Sequence, residues 1–533
     1  MGDPSGRERN GGRAGDLEEE PGSEDRGWVL NSMRSRVIAS CLLYTSLIIV
    51  LVAVSAPGLT DILSDSNSSL EGGASGAVGS LSDNTSLQQP QLVWNRTFPE
   101  VTTPNWVSRH SRAYRVLDSD DGGLVIGGNT DIVNTTFGSD DSDLYLLKVD
   151  AEGSKIWERG YGGPGGDSLT GGIVKSGDGG YVLAGSATIG QEIRTWVLRV
   201  DGEGNVVWNR TYAGDYARYI ARTEDGGFLV GASKLFKIDP DGQVVWESPF
   251  EGGPAVEAGD GGYVVAGGKG IYKLSEQGGL LWELACSVSP SYLIKSSDGG
   301  FIGAGTIMQS SYNDAYVVTV DYYGKKLWEA VYGNSTPWTY HYVTGLFDRG
   351  RGTSLVVGCT DNTSSCLIFV LEFDDRGRLA WQKLHDPNGT TGMYRAIETT
   401  DGGYLITGQY QPQPCYDLHA YCAKPKAYVL KIDSNGDKVM DGIYHWGWFA
   451  SGYDAIEVGR GEYVVVGTAS PTRSAQGEAL VFKISIPVPE LGGFLRSGYV
   501  ALLGLVPVVA VGLALLARRS HLQQKRIASP KID

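Results

Sequence analysis

The strongest constraint on this chain is a unit of four apolar segments that recurs along it, each copy punctuated by one Trp and one Asp-Gly-Gly. The second copy shows it cleanly. Trp157 sits in SKIWERGYGG, GGIVKSGDGG and YVLAGSA follow, and TWVLRVD leads through the turn residues GEGN into the next Trp segment, VVWNRTY. The Trp position recurs at Trp94, Trp157, Trp208, Trp246, Trp282, Trp328 and Trp381, with Met440 in the last copy. The Asp-Gly-Gly recurs at Asp121, Asp178, Asp225, Asp260, Asp298 and Asp401, and two copies keep only Gly-Arg-Gly, at 350–352 and 459–461. Eight units over residues 92–486 average about 49 residues, the length of a four-stranded propeller blade.

The residue chemistry supports an all-β propeller. Asp-Gly-Gly supplies the positive backbone angles of a tight hairpin, and alternating segments such as YVLAG and YVVVG place one face in a sheet-on-sheet core. Asp-x-x-Gly turns at Asp150, Asp201, Asp239 and Asp433 make a second hairpin in each copy. The region opens on a Trp strand at Leu92 and ends on an unpartnered strand, ALVFKIS, at 479–485; pairing these two closes the ring and removes its exposed edges. Eight blades are expected, with seven as the alternative because the hairpin is trimmed in the copies ending at Asp239 and Leu274. A Trp required by every copy reads as packing between blades rather than as a sugar-stacking surface.

Two apolar segments flank the repeats. Residues 37–56 and 498–517 carry no charge and have the length of a membrane-crossing helix. Arg34 and Arg36 precede the first, and Arg518, Arg519, Lys525 and Arg526 follow the second, which places both ends in the cytoplasm and the repeats outside the cell. The expected organisation is a disordered cytoplasmic tail (1–36), a transmembrane signal-anchor (37–56; alternatively a cleaved signal peptide), a flexible Ser/Gly/Asp/Asn stalk (57–91), the propeller (92–486), a linker (487–497), a second transmembrane helix (498–517) and a basic tail (518–533).

All eight Asn-x-Ser/Thr sequons, at Asn67, Asn84, Asn95, Asn134, Asn209, Asn334, Asn362 and Asn388, lie between these segments and are expected to carry glycans. Cys359/Cys366 and Cys415/Cys422 have equal spacing and suit two local disulfides in an oxidising compartment; buried thiols are the alternative. A net charge of -16 excludes a phosphate-binding surface for nucleic acid.

The strings DGGYVLAGS, DGGYLITGQ and VLRVDGEGNVVWNRTY resemble the repeats of archaeal and bacterial surface β-propellers, related in pattern to PQQ-like repeats. That resemblance implies the fold and a surface location. The tail PVPELGG, an apolar span and RRS resembles archaeal surface-protein sorting tails, although the motif just before the span departs from theirs.

Little in the repeats points to catalysis. The histidines (His110, His341, His385, His419 and His445) lack metal-ligand spacing. Asp433, Asn435, Asp437 and Asp441 resemble the start of a calcium loop, but Tyr444 stands where a bidentate Glu belongs and other copies have ordinary turns there. The acidic cluster Asp140, Asp141 and Asp143 reads the same way. GGPGG at 162–166 lacks the Lys-Ser/Thr of a phosphate loop. No cofactor is expected and calcium stays open. The leading expectation is a non-enzymatic, membrane-anchored binding or scaffold module whose partner is a surface glycan or surface protein, met by the loops 409–424 and 309–315. The rivals are an ectoenzyme with carboxylates at a central channel and a sensor that signals through a partner.

Overall fold

In the computed structural model, residues 90–487 are described, apart from 99–101, 104–105, 135–139, 164, 269, 309–311, 334–338, 363–365, 413–423 and 473–476. All of them lie in the second of the chain's two compact units, Ser86–Asp533. The two apolar flanking segments, most of the 57–91 stalk and the basic tail lie outside the described residues, and among those that are described no helix is long and apolar enough to cross a membrane.

The repeat begins with two five-residue hairpin turns. In the first, Ser119 N–H donates to Gly123 O and Gly122 N–H returns to Ser119 O. Its two glycines do different work. Gly122 has φ of +83°, open to glycine at little cost, whereas a Cβ on Gly123 would collide with the Val149 carbonyl of the strand alongside. The Asp-x-x-Gly turns close the same way, Asp150 N–H to Ser154 O and Gly153 N–H to Asp150 O, with Asp150 Oδ1 accepting from the N–H groups of Glu152 and Ser154 at 3.0 and 2.7 Å.

These turns generate antiparallel four-stranded units, a to d from inner to outer. Eight are present among the described residues. Blade 2 is typical: Ser168–Lys175, Tyr181–Ile189, Glu192–Val200 and Val206–Tyr212, paired in that order. Blade 1 runs from Trp106–Asp118 to Lys155–Tyr161, and blades 3 to 7 follow along the chain, their outer strands being Val244–Ser248, Leu280–Ala285, Lys326–Tyr332, Leu379–His385 and Lys438–Tyr444. Blade 8 closes the ring: Phe449–Gly459, Glu462–Ser470 and Glu478–Ser485 are completed by the first strand of the repeats, Gln91–Phe98, with Gln91 opposite Ser485 and Phe98 opposite Ala479. The expected closure and eight-unit count therefore describe the strand order.

Eight hydrophobic clusters fill the ring, one at each blade–blade junction; Leu144 and Leu146 of blade 1 pack with Tyr181, Leu183 and Leu198 of blade 2. The expectation of a single buried face per strand is too modest. Residues 181–187 are buried without interruption, because each blade lies between two others and its middle strands lose both faces to neighbours.

The tryptophans join successive blades. In every blade the pairing of the outer strand shifts by one residue just before the Trp or Met position, a bulge that turns the side chain out of its own sheet. Each indole lies on the turn glycine of the next blade: a Cβ on Gly153, Gly204, Gly242, Gly278, Gly324, Gly377 or Gly436 would come within 3.1 Å of Trp94, Trp157, Trp208, Trp246, Trp282, Trp328 or Trp381. Trp157, Trp208, Trp246 and Trp282 also donate through Nε1 to carbonyls of those turns at 2.9–3.2 Å. Met440 fits the same rule. Its neighbour is blade 8, where strands c and d come from opposite ends of the ring, so no turn glycine is there to receive an indole.

Strands alternate in direction, so all a–b and c–d turns leave one face of the ring and the b–c and d–a connections leave the other. The first will be called the turn face and the second the loop face.

Candidate functional site

The turn face is nearly identical from blade to blade. In five of the six Asp-Gly-Gly copies the Asp, read from sequence only as a turn residue, also receives a Lys or Arg from strand c of its own blade: Lys148–Asp121 and Lys273–Asp260 at 2.7 Å, Arg199–Asp178 at 2.6 Å, Lys431–Asp401 at 2.9 Å, and Lys237–Asp225. The lysine stems are buried while their ammonium groups reach the surface carboxylates. Hydrogen bonding from Lys148 and Lys273 holds the carboxyls of Asp121 and Asp260 down to about 2. Blade 6, a Gly-Arg-Gly copy, inverts the pair as Arg349–Glu372 at 3.3 Å, and blade 8 uses Lys483–Glu462 at 2.8 Å. The signal was visible in sequence as the basic residue of LLKVD, VLRVD, LFKID and VLKID.

The inner strands, which line the central channel, are not alike. In blades 3, 4 and 5 they are short and pair without a register shift: Tyr219–Arg222, Ala255–Glu257 and Tyr292–Lys295. In blades 6, 7, 8 and 1 they are longer, Thr339–Gly350, Gly389–Glu398, Phe449–Gly459 and Trp106–Asp118, and each is bulged at one equivalent place, between Val343 and Gly345, Met393 and Arg395, Gly452 and Asp454, and Ala113 and Arg115; Ser168–Lys175 of blade 2 shifts there too, between Leu169 and Gly172. The bulged residue is Thr344 in blade 6 and Tyr in blades 7, 8 and 1. Bulges re-aim side chains, and here they bring Tyr394, Tyr453 and Tyr114 into a row, with ring centroids 4.9 Å apart for Tyr394–Tyr453 and 5.3 Å for Tyr114–Tyr453.

The next residues in the three strands are Arg395, Asp454 and Arg115. Asp454 is almost fully buried; its Oδ2 accepts Val116 N–H at 3.2 Å and its Oδ1 lies 3.5 Å from Arg395 Nε. Burial pushes the Asp454 carboxyl up, against the opposing pull of Arg395 and Arg115. Arg395 Nε is buried without a hydrogen bond, yet 42% of the side chain is exposed. Arg115 is exposed. Across the channel, Tyr292 of blade 5 feels the charges of Arg395, Arg115 and Asp454. Burial, then Tyr394 and Tyr114, push the Tyr453 hydroxyl up to about 12. On blade 2 the corresponding wall is bare: a Cβ on Gly172 would meet nothing within 4 Å. Sequence reasoning missed this shelf, although Tyr114-Arg115, Tyr394-Arg395 and Tyr453-Asp454 stand at one offset from their turns.

The sequence-derived candidates fall elsewhere. The seven tryptophans lie between blades, as expected of packing residues. Asp433 repeats the turn of six other blades, its Oδ1 accepting Asn435 N–H and Asp437 N–H at 2.8 and 2.9 Å; Asp437 pairs with Lys383 at 2.5 Å, and Asp441 accepts Tyr428 O–H at 3.0 Å. The calcium-like spacing at these residues is thus the spacing of an ordinary turn. Beside GGPGG, Asp167 accepts Gly163 N–H at 2.8 Å and Thr188 N–H at 3.0 Å. His341 lies against Asn313 O and His385 against Gly436 O, both at 2.9 Å, while His110 sits 3.3 Å from Asp131. These histidines do not share a site.

Asn95 and Asn209 occupy the same place on the outer strands of blades 8 and 2, one residue after the Trp, and Asn388 is exposed at φ of +58°. The side chains of Asn134 and Asn362, and all of Asn67, Asn84 and Asn334, lie outside the described residues. Cys359 is buried in Thr353–Asn362 and Cys366 opens the strand paired with it, opposite Asp361; the Cys366 side chain, Cys415 and Cys422 lie outside the described residues. Of the two long loops, 409–424 is a b–c connection rooted beside the tyrosine row, where Ser451 Oγ donates to Gln409 Oε1 at 3.0 Å.

No family model matches the chain, and no curated protein matches it. Among solved structures it is similar to Sqt1 from Chaetomium thermophilum (12% identity, 71% of this chain and 97% of that one, TM-score 0.46), to the Dos1 propeller (11%, 74% and 95%, 0.45) and to a protein of unknown function from Dyadobacter fermentans (12%, 75% and 100%, 0.41). At these scores the strand order and ring closure, not the likeness, identify the β-propeller.

Proposed function

We propose that this chain is a cell-surface binding module: a propeller tethered to a membrane through its flanking apolar segments, glycosylated on the outside, that engages a surface glycan or surface protein through its loop face and channel. The observation that carries the reading is the position of the ring's two ends. Gln91 and Ser485 are paired neighbours, so the preceding and following chain both leave from the turn face. A tether there leaves the loop face on the side away from the point of attachment. The PQQ-like pattern of the repeats and the sorting-tail resemblance agree with a surface location, as do the eight sequons.

The reading is non-enzymatic. An ectoenzyme of the kind weighed above needs two carboxylates within reach of each other, and the groups facing the buried carboxylate of Asp454 are two arginines. Calcium has no role in this reading.

Surface biotinylation of intact cells, followed by mass spectrometry of the full-length protein, tests it. Labelling of exposed loop-face lysines together with glycan mass at the sequons is the expected result. Protection of every lysine until the cells are lysed would overturn the surface assignment.

A further inference from the structure

The tyrosine row and its arginines are the part of the molecule that the repeat does not require. A residue dictated by blade packing recurs in each blade. The inner-strand bulge occurs in five blades, with Thr344 at it in blade 6 and Thr170 and Gly171 in blade 2, but it carries a tyrosine only in three consecutive ones, as Tyr394, Tyr453 and Tyr114. Beside them stand Arg395 and Arg115, two partly exposed cations in a chain of net charge -16. The one carboxylate among these groups, Asp454, is buried, with burial favouring its neutral form. Two partly exposed cations beside aromatic rings remain, and at the equivalent position of blade 2 Gly172 carries no side chain.

We propose that this shelf binds a carboxylate-bearing sugar, such as a uronic acid residue within an acidic polysaccharide, and so names the ligand class of the binding module proposed above. It rests on the reading of the chain as a binding module but not on its membrane attachment. Each element of the shelf matches one part of that ligand. A guanidinium presents planar paired donors to a carboxylate, and Arg395 and Arg115 flank the row from both sides. The apolar face of a pyranose packs on aromatic rings, and Tyr394 is the most exposed of the three, at 40%. A nucleic acid would demand far more positive charge than two arginines, and an acidic peptide would leave the aromatic row without a matching ring face.

The test is calorimetric titration of the full-length protein at pH 7 with tetragalacturonate, its methyl ester and tetraglutamate, repeated with Arg115→Gln, Arg395→Gln, Tyr394→Ala and the remote control Lys234→Gln. Saturable binding of the acid tetrasaccharide is expected, weaker by about tenfold or more for the ester and for each arginine variant, the loss of a charged hydrogen bond. Lys234→Gln should bind like the parent. Arg115 is exposed, so its variant keeps the test valid if Arg395→Gln fails to fold. Absence of saturable binding, equal binding of the ester, indifference to both arginine changes, or preference for tetraglutamate would each overturn the proposal. If the protein still binds cell-surface polymer while the shelf variants match the parent, the ligand site lies elsewhere and the binding-module reading survives.

Discussion

Blades 3 and 4 and blades 7, 8 and 1 share one turn face but differ at the channel. Both groups carry the bulged outer strand, and a buried lysine reaches a surface carboxylate in four of the five, blade 8 using Glu462. Their inner strands diverge: three or four residues without irregularity in the first group, ten to thirteen with a bulge in the second. The short blades show how little chain a blade needs, and blade 6 has a long inner strand bulged at Thr344 without a tyrosine, so the tyrosines of the other three are additions to the fold rather than requirements of it. Substitutions on the turn face should therefore cost stability wherever they are made, and substitutions on the tyrosine row should cost binding.

The largest effect is expected for Trp328→Ala, which empties the most buried of the seven recurring Trp positions, stacked on Phe373. It should lower unfolding free energy by about 3–5 kcal/mol, read from denaturant unfolding. Met440→Trp sharpens the same point: with no turn glycine opposite, the larger ring should destabilise by about 1–3 kcal/mol, and a gain in stability would break the account of the eighth position. Gly278→Ala forces a Cβ into Trp246 at a residue with φ of +80° and should cost about 2–4 kcal/mol. Asp401→Ala leaves the Lys431 ammonium without its carboxylate; because Asp401 is partly exposed, about 1–2 kcal/mol is expected rather than the full cost of a buried pair.

The channel should respond in the opposite sense. Burial raises the Asp454 carboxyl, so the folded protein holds that proton to higher pH than the unfolded chain does. Stability then falls as pH rises from the ordinary carboxylate range through the raised value, and the penalty is complete above it. Asp454→Asn removes the ionisation, and its melting temperature should exceed the parent's at pH 7–8 and match it below pH 4. Equal melting at both pH values would show that Arg395 fully offsets the burial. The smallest stability change, below about 1 kcal/mol, belongs to Tyr394→Ala.

Sequence reasoning reached most of the fold because its signals are local. The two glycines of each turn and the Trp spacing report on neighbours a few residues or one unit away, and the ring closure was legible because the lone strand at the start and the unpartnered strand at the end of the repeats match. The lysine–aspartate pairs were also local in origin, spanning one hairpin, and were overlooked because the aspartate already had a role as a turn residue. The tyrosine row was harder to read. Its members lie in the first, seventh and eighth blades, and only closure of the ring makes Tyr114 a neighbour of Tyr453. A bulge, moreover, adds a residue that breaks the period-two alternation, so the direction of the side chain it displaces cannot be read from the pattern.

The closing pair, Gln91–Phe98 against Glu478–Ser485, has a mechanical consequence. Because these strands are antiparallel and their free ends adjoin, any load that enters through both flanking chains is applied at one corner of blade 8. Pulling the two ends apart would peel the pair one hydrogen bond at a time, the weak direction for a hairpin-like joint. Pulling both in the same direction against a ligand held in the channel spares the joint altogether. A ring with both leads fixed to one support is thus loaded in its strong direction, and one whose leads are drawn to opposite sides would open at the clasp.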